Sequence, residues 1–119
     1  MQCVGGDFFH DALPTGADIV TLIRVLFDHD DTRIEILLKS IYDALPPGGT
    51  LLVAEPMADT PDLPAMGQAY FGFYLLAMGR GRPRSADEIK KFLKRAGFSK
   101  TKLIKNMMKI NTQIVLAEK

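Results

Sequence analysis

The sequence predicts an α/β fold whose parallel sheet is finished by an antiparallel hairpin, and three observations carry that reading. Two short, almost continuously apolar runs, ADIVTLIRVL (17–26) and TLLVAE (50–55), flank a segment with helical periodicity. The links between these three are short. Two further strand-like runs then follow one another at the end of the chain with no helix between them. The expected order is β-α-β-α-α-β-β.

Each element has its own warrant. Residues 17–26 are rich in Ile, Val, Thr and Leu and lack the alternation of a half-wet strand, so they read as buried on both faces. Over 32–45 the period changes, and Ile34, Leu37, Leu38, Ile41 and Leu45 fall on one helical stripe behind a Thr32/Glu35 capping box. PPGG (46–49) cannot continue that helix, and TLLVAE becomes a second buried strand. Such a β-α-β unit is almost always right-handed. After the loop MADTPDLP (57–64), residues 63–79 are helical in length but apolar nearly all round, which implies burial or the wall of an apolar cavity. The basic loop GRGRPR (79–84) leads to a helix capped by Ser85 and Glu88, striped by Ile89, Phe92, Leu93 and Ala96, and ended by Gly97. Residues 100–110 and 111–119 form the hairpin.

At 119 residues the chain fits one domain, 1–119, with a real core. A single cysteine, Cys3, cannot form an internal disulfide and is read as a small buried hydrophobe, so a cytoplasmic protein is expected. No apolar run reaches the roughly 18 residues of a transmembrane segment, and residues 1–10 do not resemble a signal peptide. Charge is unevenly spread: residues 1–62 hold 11 acidic and 3 basic side chains, residues 63–119 hold 3 and 12. The basic residues lie on amphipathic segments without interleaved aromatics, which favours a solvated face over a nucleic-acid surface. Asp28, His29, Asp30 and Asp31 lack a regular ligand spacing, so no metal is assigned; Asp30 or Asp31 is expected to cap the following helix.

Five segments, in this order and spacing, carry a resemblance: VGGDFF (4–9), ADIVTLIRVLFDHDD (17–31), LPPGGTLLVAEP (45–56), AYFGFYLLAMGRGRPRSADEI (69–89) and RAGF (95–98). Together they resemble the C-terminal half of the class I S-adenosylmethionine-dependent O-methyltransferases that act on small molecules. The bacterial carotenoid branch, hydroxyneurosporene and demethylspheroidene O-methyltransferases, looks nearest. The resemblance implies a partial Rossmann-like sheet, strands 4-5-7-6 of the family order. It implies S-adenosylmethionine as cofactor and an apolar, hydroxylated small molecule as acceptor. The family's glycine-rich cofactor loop and its N-terminal dimerisation domain have no counterpart here. Cofactor binding by this chain alone is therefore expected to be weak or absent.

On the cofactor side the resemblance implies Asp7 against the adenine amino group, Phe8 against the ring, and Arg24 near the methionine end. On the catalytic side it implies Glu55 at the end of the second strand, with Asp28 and His29. The family's base is a histidine, and Phe27 stands at that position, while His29 stands at a family tryptophan two residues on. A second family glutamate is replaced by Pro83, although Arg84 and Ser85 match. Phenylalanine accepts no proton, which suits an aliphatic alcohol held close to the methyl donor better than a phenol. Phe27, Tyr70, Phe73, Tyr74 and Met78, with Met66, are the expected acceptor-binding residues. His10 is given no role.

Two rival readings remain: a non-catalytic α/β interaction module, and a nucleotide-binding oxidoreductase, which the terminal hairpin and the missing dinucleotide fingerprint disfavour. Strand 17–26 would lack its family neighbour in this chain. Its bare edge would either be covered by residues 1–9 or pair with another copy, making a homo-oligomer.

Overall fold

A computed structural model describes residues 3–59, 64–105 and 112–119, the side chains of 64–68 excepted. The elements are β1 (Ile19–Ile23), a 3-10 turn (Leu26–Asp28), α1 (Asp31–Ala44), β2 (Thr50–Glu55), α2 (Pro64–Met78), α3 (Ala86–Ala96), β3 (Lys100–Ile104) and β4 (Gln113–Glu118). The sheet runs β1-β2-β4-β3. β1 and β2 are parallel, and β4 lies antiparallel to both β2 and β3. The expected β-α-β unit and terminal hairpin are both present, and the strand order is that of the family's 4-5-7-6.

The core forms where the two amphipathic helices meet one face of the sheet. Leu22, Leu51, Val53, Val115 and Ala117 from the strands are buried with Ile34, Leu38 and Ile41 of α1 and Ile89 and Leu93 of α3. Each buried aliphatic side chain of this size contributes roughly 1.5–3 kcal/mol. α3 is held at both ends. Ser85 Oγ accepts from the Glu88 N–H while the Glu88 carboxylate accepts from the Ser85 N–H, and Gly97 closes the helix at φ +114. A Cβ on Gly97 would also lie 2.9 Å from the Tyr42 ring of α1, so glycine is required there twice over.

Several expectations are corrected. β1 stops at Ile23, three residues early, and it is not buried on both faces, since Ile19 and Ile23 are 62 % and 61 % exposed. The cap of α1 is Asp30, whose carboxylate accepts from the Arg33 N–H; the helix starts one residue before Thr32, which leaves no Thr32 cap. α2 is not buried all round, because Tyr70, Phe73, Tyr74, Leu76 and Met78 are exposed. Cys3 is exposed rather than buried. Residues 3–14 do not cover β1 as a strand; instead Phe9 and Leu13 pack against the core. Met66's side chain and hairpin residues 106–111 lie outside the described residues.

Candidate active site

The segment that follows β1 departs from the sheet for a visible reason. The Arg24 N–H still reaches Ala54 O (2.8 Å), but Arg24 turns the chain at φ +57, an uncommon conformation for a side-chain-bearing residue. The next three N–H groups then point at one carboxylate. Val25 N donates to Glu55 Oε1 (3.0 Å), Leu26 N to the same oxygen (2.6 Å), and Phe27 N to Oε2 (2.9 Å). Glu55 ends β2 and is 1 % exposed. Burial, the dominant effect, pushes its carboxyl up to about 7, against the pull of the three amides and of Arg84.

The carbonyls of the same loop are taken by Arg84, itself only 2 % exposed. Its Nη1 donates to Leu26 O (3.1 Å) and Arg82 O (3.1 Å), and its Nη2 to His29 O (2.8 Å). Nε and Nη2 also donate to Asp31 Oδ1 at 3.0 and 2.6 Å. Burial pushes the Asp31 carboxyl up, but the Arg84 and Arg82 guanidiniums together hold it below the usual carboxylate range. Gly81 lets the strap before Arg84 run tightly past this loop: at φ +86, a Cβ there would sit 2.3 Å from Phe27 O. Glu55 thus holds the loop's donors and Arg84 its acceptors. Sequence reasoning noticed Arg84 only as a matching residue, and its clamp role has no side-chain signature because most of its partners are backbone.

The clamped loop sends its side chains in two directions. Phe27, buried, lies edge-on to Phe71 of α2 (6.1 Å between centroids) and stacked near Tyr74 (6.2 Å). The Arg24 guanidinium sits 5.7 Å from the ring centres of both Phe27 and Phe71, in cation–π contact with both. His29 instead meets the N-terminal segment, edge-on to Phe9 (4.9 Å) and Phe8 (5.9 Å). The 3-10 turn at 26–28 is what separates the two rings. Burial, the largest effect, lowers the His29 pKa below the usual histidine value; Asp28 and Asp30 oppose it, and Arg80 and Arg33 add to it. Among the described residues, His29 Nδ1 and Asp28 Oδ1 are buried without a hydrogen-bond partner.

Of the aromatic residues of α2 read from the sequence as core or acceptor wall, the structure brings Phe71 and Tyr74 together with Phe27. Tyr70 touches the Phe71 ring (5.1 Å), while Phe73 (73 % exposed) and Met78 face solvent. Of the three expected catalytic residues, Glu55 faces backbone amides and His29 faces Phe8 and Phe9. On the cofactor side, Asp7 folds its carboxylate back on the Phe9 N–H (2.9 Å) and His10 Nδ1 (3.0 Å), which hold it below the usual range. Asp7 and Phe8 line a cavity of about 180 Å³ with Gly6, Asp11, Leu13 and Pro14. A second cavity, about 330 Å³, opens between α2 and the arginine strap beside Leu75, Leu76, Gly81 and Pro83.

Comparison with known proteins gives these features a context. A demethylspheroidene O-methyltransferase of Rhodobacter capsulatus is 43 % identical over 96 % of this chain and 29 % of its own length. One from Cereibacter sphaeroides is 46 % identical over 83 % of this chain and 26 % of its own. The crystal structure of human N-acetylserotonin methyltransferase in complex with SAM superposes with a TM-score of 0.84 at 33 % identity, covering 96 % of this chain and 32 % of that one. The four-stranded sheet therefore corresponds to part of the methyltransferase fold. The chain spans less than a third of the length of these relatives. The family description that matches is an O-methyltransferase domain, aligned over residues 1–99, and the chain belongs to that family.

Proposed function

We propose that this chain forms the acceptor side of a domain that methylates a hydroxyl group of an apolar small molecule, a hydroxylated carotenoid first. S-adenosylmethionine supplies an electrophilic methyl group on a sulfonium. The observation that carries the reading is Phe27, buried between the loop and the aromatic face of α2 at the position where the resemblance implies a histidine base. Phe27, Phe71 and Tyr74 offer flat, apolar contact to a polyene and nothing that ionises a phenol. An aliphatic hydroxyl becomes strongly acidic only as its oxygen is alkylated, so its proton needs an acceptor nearby rather than a strong base beforehand. Asp28 Oδ1, buried and unpartnered among the described residues, takes that role here. His29, set against Phe8 and Phe9, works on the cofactor side, as an apolar wall for the adenine end beside Asp7. Glu55 acts as a positioning residue that fixes Phe27 and Asp28 through the loop's amides.

The chain alone carries only the adenine-side residues and Arg24, so calorimetric titration with S-adenosylmethionine should show weak or no binding. The activity itself is tested by a chimera in which these 119 residues replace the matching segment of the Rhodobacter capsulatus relative. The expected result is methylation of demethylspheroidene and little transfer to a simple phenol. A folded chimera that binds the cofactor and methylates neither would overturn the reading in favour of a non-catalytic module. One that prefers the phenol would overturn the acceptor class.

A further inference from the structure

We infer that Arg84 is a positioning residue for the methyl transfer: its guanidinium sets where Asp28 stands by holding the backbone on both sides of it. The inference rests on the reading that Asp28 receives the acceptor's proton, and it names the group that keeps that carboxylate in place. An arginine fork has five N–H donors, and here each of them has a partner. Two go to Leu26 O and His29 O, the carbonyls that flank Phe27 and Asp28. One goes to Arg82 O within the strap, and the other two share Asp31 Oδ1. The centre of the guanidinium also lies 5.8 Å from the Phe92 ring centre of α3. A planar group bonded around its whole edge and packed beside a ring has little freedom to turn.

The main chain of Arg84 is anchored without its side chain. Its carbonyl accepts from the Ala58 N–H (3.0 Å), it bridges in parallel with Met57 just beyond β2, and the cap of α3 is the next residue. The fork thus reaches from a fixed base to a loop outside the sheet. Glu55 grips that loop only as far as the Phe27 N–H, whereas Arg84 reaches past Asp28 to His29 O. Gly81, two residues before Arg82 O's neighbour Pro83, closes the remaining side: a Cβ there would lie 2.8 Å from the Asp28 carbonyl carbon. Asp28 Oδ1 is buried and, among the described residues, has no hydrogen bond of its own to fix it. Its place is inherited from the backbone, and the backbone is where Arg84 acts.

The test replaces the fork by a point charge. A lysine keeps the positive charge beside Asp31 but carries three donors on a single nitrogen, too few and too concentrated for both carbonyls and the carboxylate. In the 119-residue chain, Arg84→Lys should speed hydrogen exchange at the Val25, Leu26 and Phe27 amides by roughly tenfold or more, while the amides of the β2–β4 ladder keep their rates. Faster exchange throughout, ladder included, would mean that Arg84 only stabilises the core and would overturn the inference, as would unchanged loop amides. In the chimera described above, Arg84→Lys should lower kcat on the order of 10²-fold with the acceptor KM held within about threefold. Arg84→Ala should regain turnover with millimolar guanidinium ion and not with methylammonium. An active chimera whose kcat survives Arg84→Lys would overturn the positioning role and leave the acceptor reading standing. A chimera inactive with Arg84 in place counts against the acceptor reading instead, and the exchange rates of the chain still decide whether Arg84 holds the loop.

Discussion

The two faces of the sheet both carry an apolar row and are differently treated by the fold. One carries Leu22, Leu51, Val53, Val115 and Ala117, all buried beneath α1 and α3. The other carries Ile19, Thr21, Ile23, Leu52, Ile114 and Leu116, none of them fully buried; only the small Ala54 is. The register makes the contrast sharp, since Leu51 and Leu52 are neighbours on one strand and point to opposite sides. The α1 crossover and α3 both settle on the first face, where Tyr42 meets Phe98 and Arg95 reaches Glu35. An apolar strand thus states a capacity for burial; which face realises it depends on where the helices go.

The largest test sets those neighbours against each other. Leu51→Ala should lower unfolding free energy by about 3 kcal/mol through lost burial and a cavity, and Leu52→Ala by less than about 1 kcal/mol. Urea midpoints at one protein concentration measure both. Equal losses would mean that the second face is covered in solution as well as the first.

Glu55 stands on the covered face, at the end of the row holding Leu51 and Val53, and tests how far the clamp belongs to that core. Glu55→Gln turns an amide N–H₂ toward a loop in which three N–H groups need acceptors. It should therefore cost about 2 kcal/mol, rather than leaving stability untouched as a residue facing an open cleft would. The pH dependence has a definite sign. In the folded chain the carboxyl titrates at about 7, and its ordinary value is 4.5, so the unfolded chain gives up the proton first. This group's contribution is complete below pH 4.5 and is lost as pH rises through 7. Wild type should lose stability relative to Glu55→Gln between pH 5 and pH 8, by roughly 2–3 kcal/mol. Parallel curves for the two proteins would refute the shifted carboxyl.

The smallest effect concerns the helix that does the covering. Ser85→Ala removes one half of the box at the start of α3 and should cost about 1 kcal/mol, read as a lower thermal midpoint. If α3 is anchored by its Ile89–Leu93 stripe alone, the midpoint will not move.

What was legible in the sequence was local. The stripes of α1 and α3, the Ser85/Glu88 box and the Gly97 stop depend on residues a few positions apart, and periodicity exposes them. The strand order followed from a family pattern carried by five segments. The end of β1 was not legible, because a carboxylate thirty residues away decides it by collecting amides that would otherwise have continued the ladder. Arg84 was unreadable for the same reason, as its carbonyl partners lie 55 and 58 residues back. At the site, Phe27 and Tyr74 emerged from residue type, while the divergence of Phe27 from His29 depended on a 3-10 turn that no side-chain pattern announced.

The place of β4 has a consequence for how the chain is made. β1, α1 and β2 can begin to assemble once residue 55 has left the ribosome, since β1 pairs with β2 and α1 links the two. β3 is different: among the described residues it pairs only with β4, and β4 is wedged between β3 and β2. Until residues 113–118 emerge, α3 has half a floor to rest on, and the β4-facing edge of β2 is open. This part of the nascent chain is sticky just before β4 arrives, and a pause in translation there would invite the wrong neighbour into the gap.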